Sequence, residues 1–133
     1  MKEINLTFDV DPKPKGRPRF GGNTYTPAST RRFENLLKTL TKQQYRSAPI
    51  QEHVAVKIRF YFKIPKRPKY PFPTIGDIDN YSKAILDALN GIVWKDDSRI
   101  ADLDVKKRFA EKSQILVSVT LAELQTNAVD HSE

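Results

Sequence analysis

Between Val54 and Ile64 the chain alternates: Val54, Val56, Ile58, Phe60, Phe62 and Ile64 share one side, and Lys57, Arg59, Tyr61 and Lys63 the other. A period of two belongs to an extended strand, whose successive side chains point to opposite faces. One apolar face and one polar face describe a sheet strand buried on a single side. Whatever else the chain forms must therefore pack over that face. Two segments have the period to do so. Phe33, Leu36, Leu37 and Leu40 give the buried stripe of a helix that starts at the Thr26-Pro27 cap and runs to about Arg46. Tyr81, Ala84, Ile85 and Ala88 fall at i, i+3, i+4 and i+7, and Leu89 extends the stripe of a second helix.

Three further strands complete the sheet. Ile4, Leu6, Phe8 and Val10 alternate over residues 3 to 10, as do Leu103, Val105, Lys107 and Phe109, and then Ile115, Val117, Val119 and Leu121. The last two are expected to form a hairpin turning near Glu111 to Ser113. The order strand, helix, strand, helix, strand, strand predicts an α+β fold: one domain with a mixed sheet of about four strands and two main helices packed on it. The domain is expected over residues 1–122, with residues 123–133 a polar, frayed tail. A length of 133 residues with 38% hydrophobic and 29% charged side chains is enough for a folded core. Cysteine is absent, which removes disulfides and thiolate metal sites. No signal peptide or membrane-spanning run is evident, so a cytoplasmic protein without a membrane partner is expected.

The formal net charge is +7, yet the sequence crowds acids around the second helix. GDIDNYSKAILDAL sets Asp77 and Asp79 two residues apart at its start, and WKDD brings Asp96 and Asp97 just beyond its end. At roughly 4 Å and an effective dielectric near 20, like charges repel by about 4 kcal/mol, so such a cluster calls for a cation, a proton or solvent. Helix capping is the plain alternative for Asp77 and Asp79. Asn90 and Gly91 stop the helix, and Ile92, Val93 and Trp94 lead the chain back, so either Asp96 or Asp97 can close on the first pair. Convergent carboxylates with water suit hard Mg²⁺. A calcium loop of EF-hand type is excluded, since Tyr81, Ser82 and Ala88 occupy the positions of a ligand, the turn glycine and the bidentate glutamate. Asp79, Lys83 and Asp87 lie one turn apart on the face opposite the apolar stripe, where a simple surface ion pair is the alternative to a role in chemistry.

Two proline-rich basic segments surround these acids. DPKPKGRPRFGGN presents Lys13, Lys15, Arg17 and Arg19 on a backbone that prolines and glycines keep irregular, and PKRPKYPFPTIG presents Lys66, Arg67 and Lys69 just before Asp77. They are either solvated loops or phosphate contacts flanking the acidic site. Phe20 and Tyr25 either stack on bases or anchor the first loop. Arg31 and Arg32, near the start of the first helix, oppose its dipole and would welcome a phosphate. The basic outer face of the Val54–Ile64 strand is read as solvent surface in preference to a direct DNA contact. Trp94 with Ile92 and Val93 belongs either to the core or to a subunit interface.

GDIDN, Lys83, the Leu86-Asp87-Ala88-Leu89 run, WKDD, the early KPKGRPRF and the following YTPAST together resemble the RusA family of Holliday junction resolvases over about residues 3 to 122. These are small endonucleases of bacteria and their prophages, and the resemblance is to phage-type members. It implies that Asp77, Asp79 and Asp97, with Asp96 as a further candidate, bind one or two Mg²⁺ ions per subunit, for which Mn²⁺ can substitute. It implies that Lys83 assists catalysis, and that a homodimer acts on four-way or branched DNA in recombination and repair, leaving 5'-phosphate and 3'-hydroxyl ends. Some members carry a basic residue before the first Asp, where this chain has Gly76. In the expected mechanism the held ion activates water and polarises the phosphoryl oxygen, while Lys83 stabilises developing negative charge. No Walker loop, GxSxG or Ser/His/Asp set is present, so no nucleotide cofactor is expected. The competing reading is a non-catalytic basic module that binds nucleic acid while its acids cap helices.

Overall fold

The computed structural model describes residues 3–15 and 27–124. In chain order they form β1 (Ile4–Phe8), α1 (Pro27–Gln44), β2 (Val54–Lys63), α2 (Ile78–Leu89), a single 3-10 turn (Asp97–Arg99), β3 (Ile100–Ala110) and β4 (Gln114–Leu121). The α+β architecture follows the expected order, with one four-stranded mixed sheet and two helices. The sheet order is β1-β4-β2-β3, in which β2 runs antiparallel to β4 and parallel to β3. Thr26, Arg17, Arg19, Phe20, Tyr25 and the expected tail from residue 125 lie outside the described residues.

The expected hairpin between the last two strands does not form, because β2 lies between them. Residues 111–113 instead step over the end of β2, where the Lys63 amide donates to Ser113 Oγ at 3.1 Å. Two strand spacings are about 9.6 Å, within reach of three residues in extended form. Alternation could not reveal this, since β4 buries the same side chains whether its neighbour is β2 or β3.

The core lies between the helices and one face of the sheet. Val54, Val56, Ile58 and Phe60 of β2 pack with Ile115, Val117 and Val119 of β4, Leu6 and Phe8 of β1, and the α2 stripe Tyr81, Ala84, Ile85, Ala88 and Leu89. The α1 stripe differs from expectation. Phe33 and Leu37 are buried, but Leu36 is exposed, and Thr41 takes the third buried position. Thr41 is tolerated there because its Oγ1 donates to the Leu37 carbonyl at 2.7 Å, satisfying the hydroxyl inside the helix. Val93 and Trp94 are both fully buried, which makes them core and removes them as a subunit interface.

Candidate active site

Gly76 enters α2 with φ +69°, a left-handed conformation that favours glycine. A Cβ there would stand 2.6 Å from Tyr81 Cε2, so the glycine also makes room for the tyrosine ring. That ring is held from the sheet side by Phe60 and Phe62, with centroids 5.6 and 5.5 Å away. Lys107 of β3 donates to the Gly76 carbonyl at 3.1 Å and ties the approach of Asp77 to the edge of the sheet. Gly76, which is not basic, is thus explained by backbone geometry and packing.

Asp77 occupies the N-cap position of α2 in extended conformation, but its side chain makes no capping hydrogen bond. Its carbonyl, not its carboxylate, receives the amides of Asn80 and Tyr81. Asp79 stands in the first turn, and its Oδ1 accepts from the Asn80 amide at 2.9 Å. Beyond the helix, the Asn90 amide caps back onto Leu86, and Gly91 turns the chain with φ +81°. The Ile50 and Lys95 amides bond across to Val93 and Ile50, pinning the returning strand beside the entry to β2. Trp94 is thereby driven into the core, and its Nε1 donates to Asp97 Oδ1 at 3.1 Å.

The two acids of WKDD part company here. Asp96 caps the 3-10 turn, accepting from the Ser98 amide at 2.7 Å and from its hydroxyl, and these bonds hold its carboxyl below the usual range. Asp97 instead lines a groove of about 440 Å³ between α2 and β3. Ile78, Asp79, Ser82, Lys83, Leu86 and Asp87 form the helix wall of that groove, and Leu103 and Val105 the sheet wall. Asp77 is not among its lining residues. Among the described residues no three His, Cys, Asp or Glu side chains converge closely enough to hold a metal by themselves.

A scan of known families places the description "Endodeoxyribonuclease RusA" on residues 9–120. The chain belongs to the RusA endodeoxyribonuclease family. It is also 28% identical over 141 residues to the uncharacterized protein YqaN of Bacillus subtilis (strain 168), covering 90% of this chain and 96% of that one. Membership makes the protein an endodeoxyribonuclease, a hydrolase of DNA phosphodiester bonds, and sets aside the non-catalytic module.

Within this RusA-family frame the basic residues fall into separate groups. Lys13 is exposed, as are Lys66, Arg67 and Lys69 on the loop that leads to Asp77. Lys15 is engaged inside the chain. Its ammonium bonds Glu34 of α1 and lies 3.0 Å from Asp87 Oδ2 of α2, while its amide donates to the Asn80 carbonyl at 3.0 Å. Burial works to lower its pKa, but the bonds to Glu34 and Asp87 outweigh it and the net direction is up. Lys83 has a loose pairing with Asp87, at 3.9 Å.

Two residues beside the start of α2 were given no role from sequence. Lys107 could have been noticed as the one cation in the apolar register of β3, where Leu103, Val105 and Phe109 are its companions. Asn80, inside the GDIDN run, has a buried Oδ1 with no hydrogen-bond partner among the described residues.

Proposed function

We propose that the protein is a Mg²⁺-dependent nuclease that resolves four-way DNA junctions in recombination and repair by paired symmetric cuts, acting as a homodimer. What supports the reading most is that Asp79, Lys83 and Asp97 line one groove between α2 and β3. Mg²⁺ in phosphoryl-transfer sites is commonly held by one or two carboxylates together with substrate phosphate and water, not by an all-protein cage. A groove with Asp79, Asp87 and Asp97 on its walls, Asp87 already paired with Lys15, and with Asp77 uncapped at its helix entrance, fits that donor set. Asp79 and Asp97 would hold the ion, with Asp77 joining from the N-cap position. When bound, a divalent cation supplies Lewis-acid activation of water and of the phosphoryl oxygen.

The remaining work falls to the chain's own groups. Lys83, exposed on the groove wall, stabilises negative charge that develops on the phosphate. Lys66, Arg67 and Lys69 hold the phosphates flanking the scissile one, and Lys13 with Arg17 and Arg19 extends the contact. Asp97 is oriented by Trp94, whose indole sits in the core and cannot swing away without exposing about 200 Å² of ring surface. Two symmetric cuts in one junction require two copies of the site, hence a two-fold dimer.

One gel tests the reading. Labelled four-way junction, flap and linear duplex are incubated with Mg²⁺ or EDTA. Paired nicks in the junction with Mg²⁺ alone, leaving the duplex whole, are the expected result. Equal cleavage of duplex, or cleavage in EDTA, overturns it. Sedimentation with junction should find two subunits, and a monomer under those conditions removes the dimer.

A further inference from the structure

Lys15 belongs by sequence to the basic loop, but by structure to the packing between the helices. Its ammonium is bonded to Glu34 and stands 3.0 Å from Asp87 Oδ2, on the carboxylate whose other oxygen lies 3.9 Å from Lys83. The exposures run the same way: the Lys15 side chain is 26% exposed and Lys83 56%. Among the described residues Asp87 thus has two cations in reach and takes the more buried one. On a bare helix Lys83 and Asp87, four residues apart, would form the ordinary ion pair.

We propose that Lys15 is a positioning residue: by taking up the charge of Asp87 it keeps the Lys83 ammonium from being drawn along α2 toward the Asp87 end of the groove and leaves it at the Asp79 end. The inference rests on the nuclease reading above for its consequence, though not for its geometry. The Lys15 amide strengthens the link, since its bond to the Asn80 carbonyl joins the same loop residue to the first turn of α2, beside Asp79. One residue therefore couples the basic loop, α1 and the groove wall. A phosphate contact is a poor use of this ammonium, because two carboxylates already claim it.

The test compares wild type, Lys15→Met and the double variant Lys15→Met/Asp87→Asn. Lys83 is labelled with an amine-acylating ester, and its modification is followed by mass spectrometry without DNA or metal. In Lys15→Met the labelling of Lys83 should slow by about two- to threefold as it pairs with Asp87, and the double variant should restore it. Junction cleavage should show the same pattern in kcat, falling about three- to tenfold and recovering, with KM little changed. If Lys15→Met does not fold, Lys15→Met/Glu34→Gln, which removes the carboxylate left unpaired on α1, carries the same comparison. Equal labelling of Lys83 in all variants overturns the proposal, as does weaker junction binding in Lys15→Met that the second substitution fails to rescue. Failure of the wild type to cut DNA would instead strike the nuclease reading, since the labelling result does not depend on cleavage.

Discussion

The indole Nε1 of Trp94 donates to Asp97 Oδ1 at 3.1 Å, so the core's largest buried side chain directly orients an acid of the groove. Trp94 is the only tryptophan in the chain. Its fluorescence should therefore report divalent cations: titration with Mg²⁺ or Mn²⁺ changes intensity or wavelength in the wild type, and the change is lost in Asp97→Ala. That variant also leaves a buried N–H without an acceptor and should lose about 1–3 kcal/mol of stability in urea unfolding, whereas Asp97→Asn, which keeps an oxygen, should lose less. A cation titration that leaves the fluorescence flat would count against Asp97 as a ligand.

Asp77 offers the contrasting case. It is exposed and its carboxylate caps nothing, so Asp77→Asn should unfold within about 1 kcal/mol of wild type, the scale of a helix-dipole contribution. Cleavage should nevertheless fall by about a hundredfold or more, with junction binding kept or tightened because a charge that repels phosphate is gone. Wild-type cutting rates in this variant would remove Asp77 from the site.

Glycine substitutions separate backbone strain from crowding. Gly91→Ala meets nothing within 4 Å and should cost about 1 kcal/mol for its positive φ alone. Gly76→Ala meets the Tyr81 ring as well, and should cost about 2–4 kcal/mol while disturbing the approach to Asp77. Denaturation midpoints for the two variants side by side give the comparison, and equal losses would show that Tyr81 yields freely.

Acid should destabilise the fold through its hydrogen-bonded carboxylates. Ser98 holds the Asp96 carboxyl below its usual 3.8, and the Arg59 hydrogen bond does the same for Asp104. Where the folded pKa is depressed, the contribution is complete above the unfolded value and is lost as pH falls through the folded one, because the unfolded chain takes up protons first. For these groups the melting temperature should be level between about pH 5 and 7 and drop below 3.8. Ser98→Ala should lessen that drop, and an unchanged acid limb would show that Ser98 contributes nothing to it.

Salt sensitivity reads the exposed basic loop. Replacing Lys66 or Lys69 by alanine should weaken junction binding and reduce the slope of log K against log salt by about 0.9 for each phosphate contact removed. Slopes identical to wild type in both variants would assign those lysines to solvent.

Local pattern was enough for the elements. A period of two gave β2 and β4 to within a residue or so, and the spacing of Tyr81, Ala84, Ile85, Ala88 and Leu89 gave the buried face of α2, since burial repeats at the period of the backbone itself. GDIDN and WKDD, short runs at the two ends of one helix, each supplied one acid to the groove, Asp79 and Asp97, while Asp77 and Asp96 do not line it.

The amino-acid sequence by itself determined the strands, the helices, the excess of positive charge and the family. Only the tertiary structure decided that β2 separates β3 from β4, that Asp97 turns to the groove while Asp96 caps a turn, that Trp94 is core and that Lys15 is engaged by Glu34 and Asp87. Periodicity records which face of an element is buried and nothing about its neighbour. Strand partners and ion pairs join residues far apart in the chain, and their choice rests on the competition among all such contacts once the core has closed.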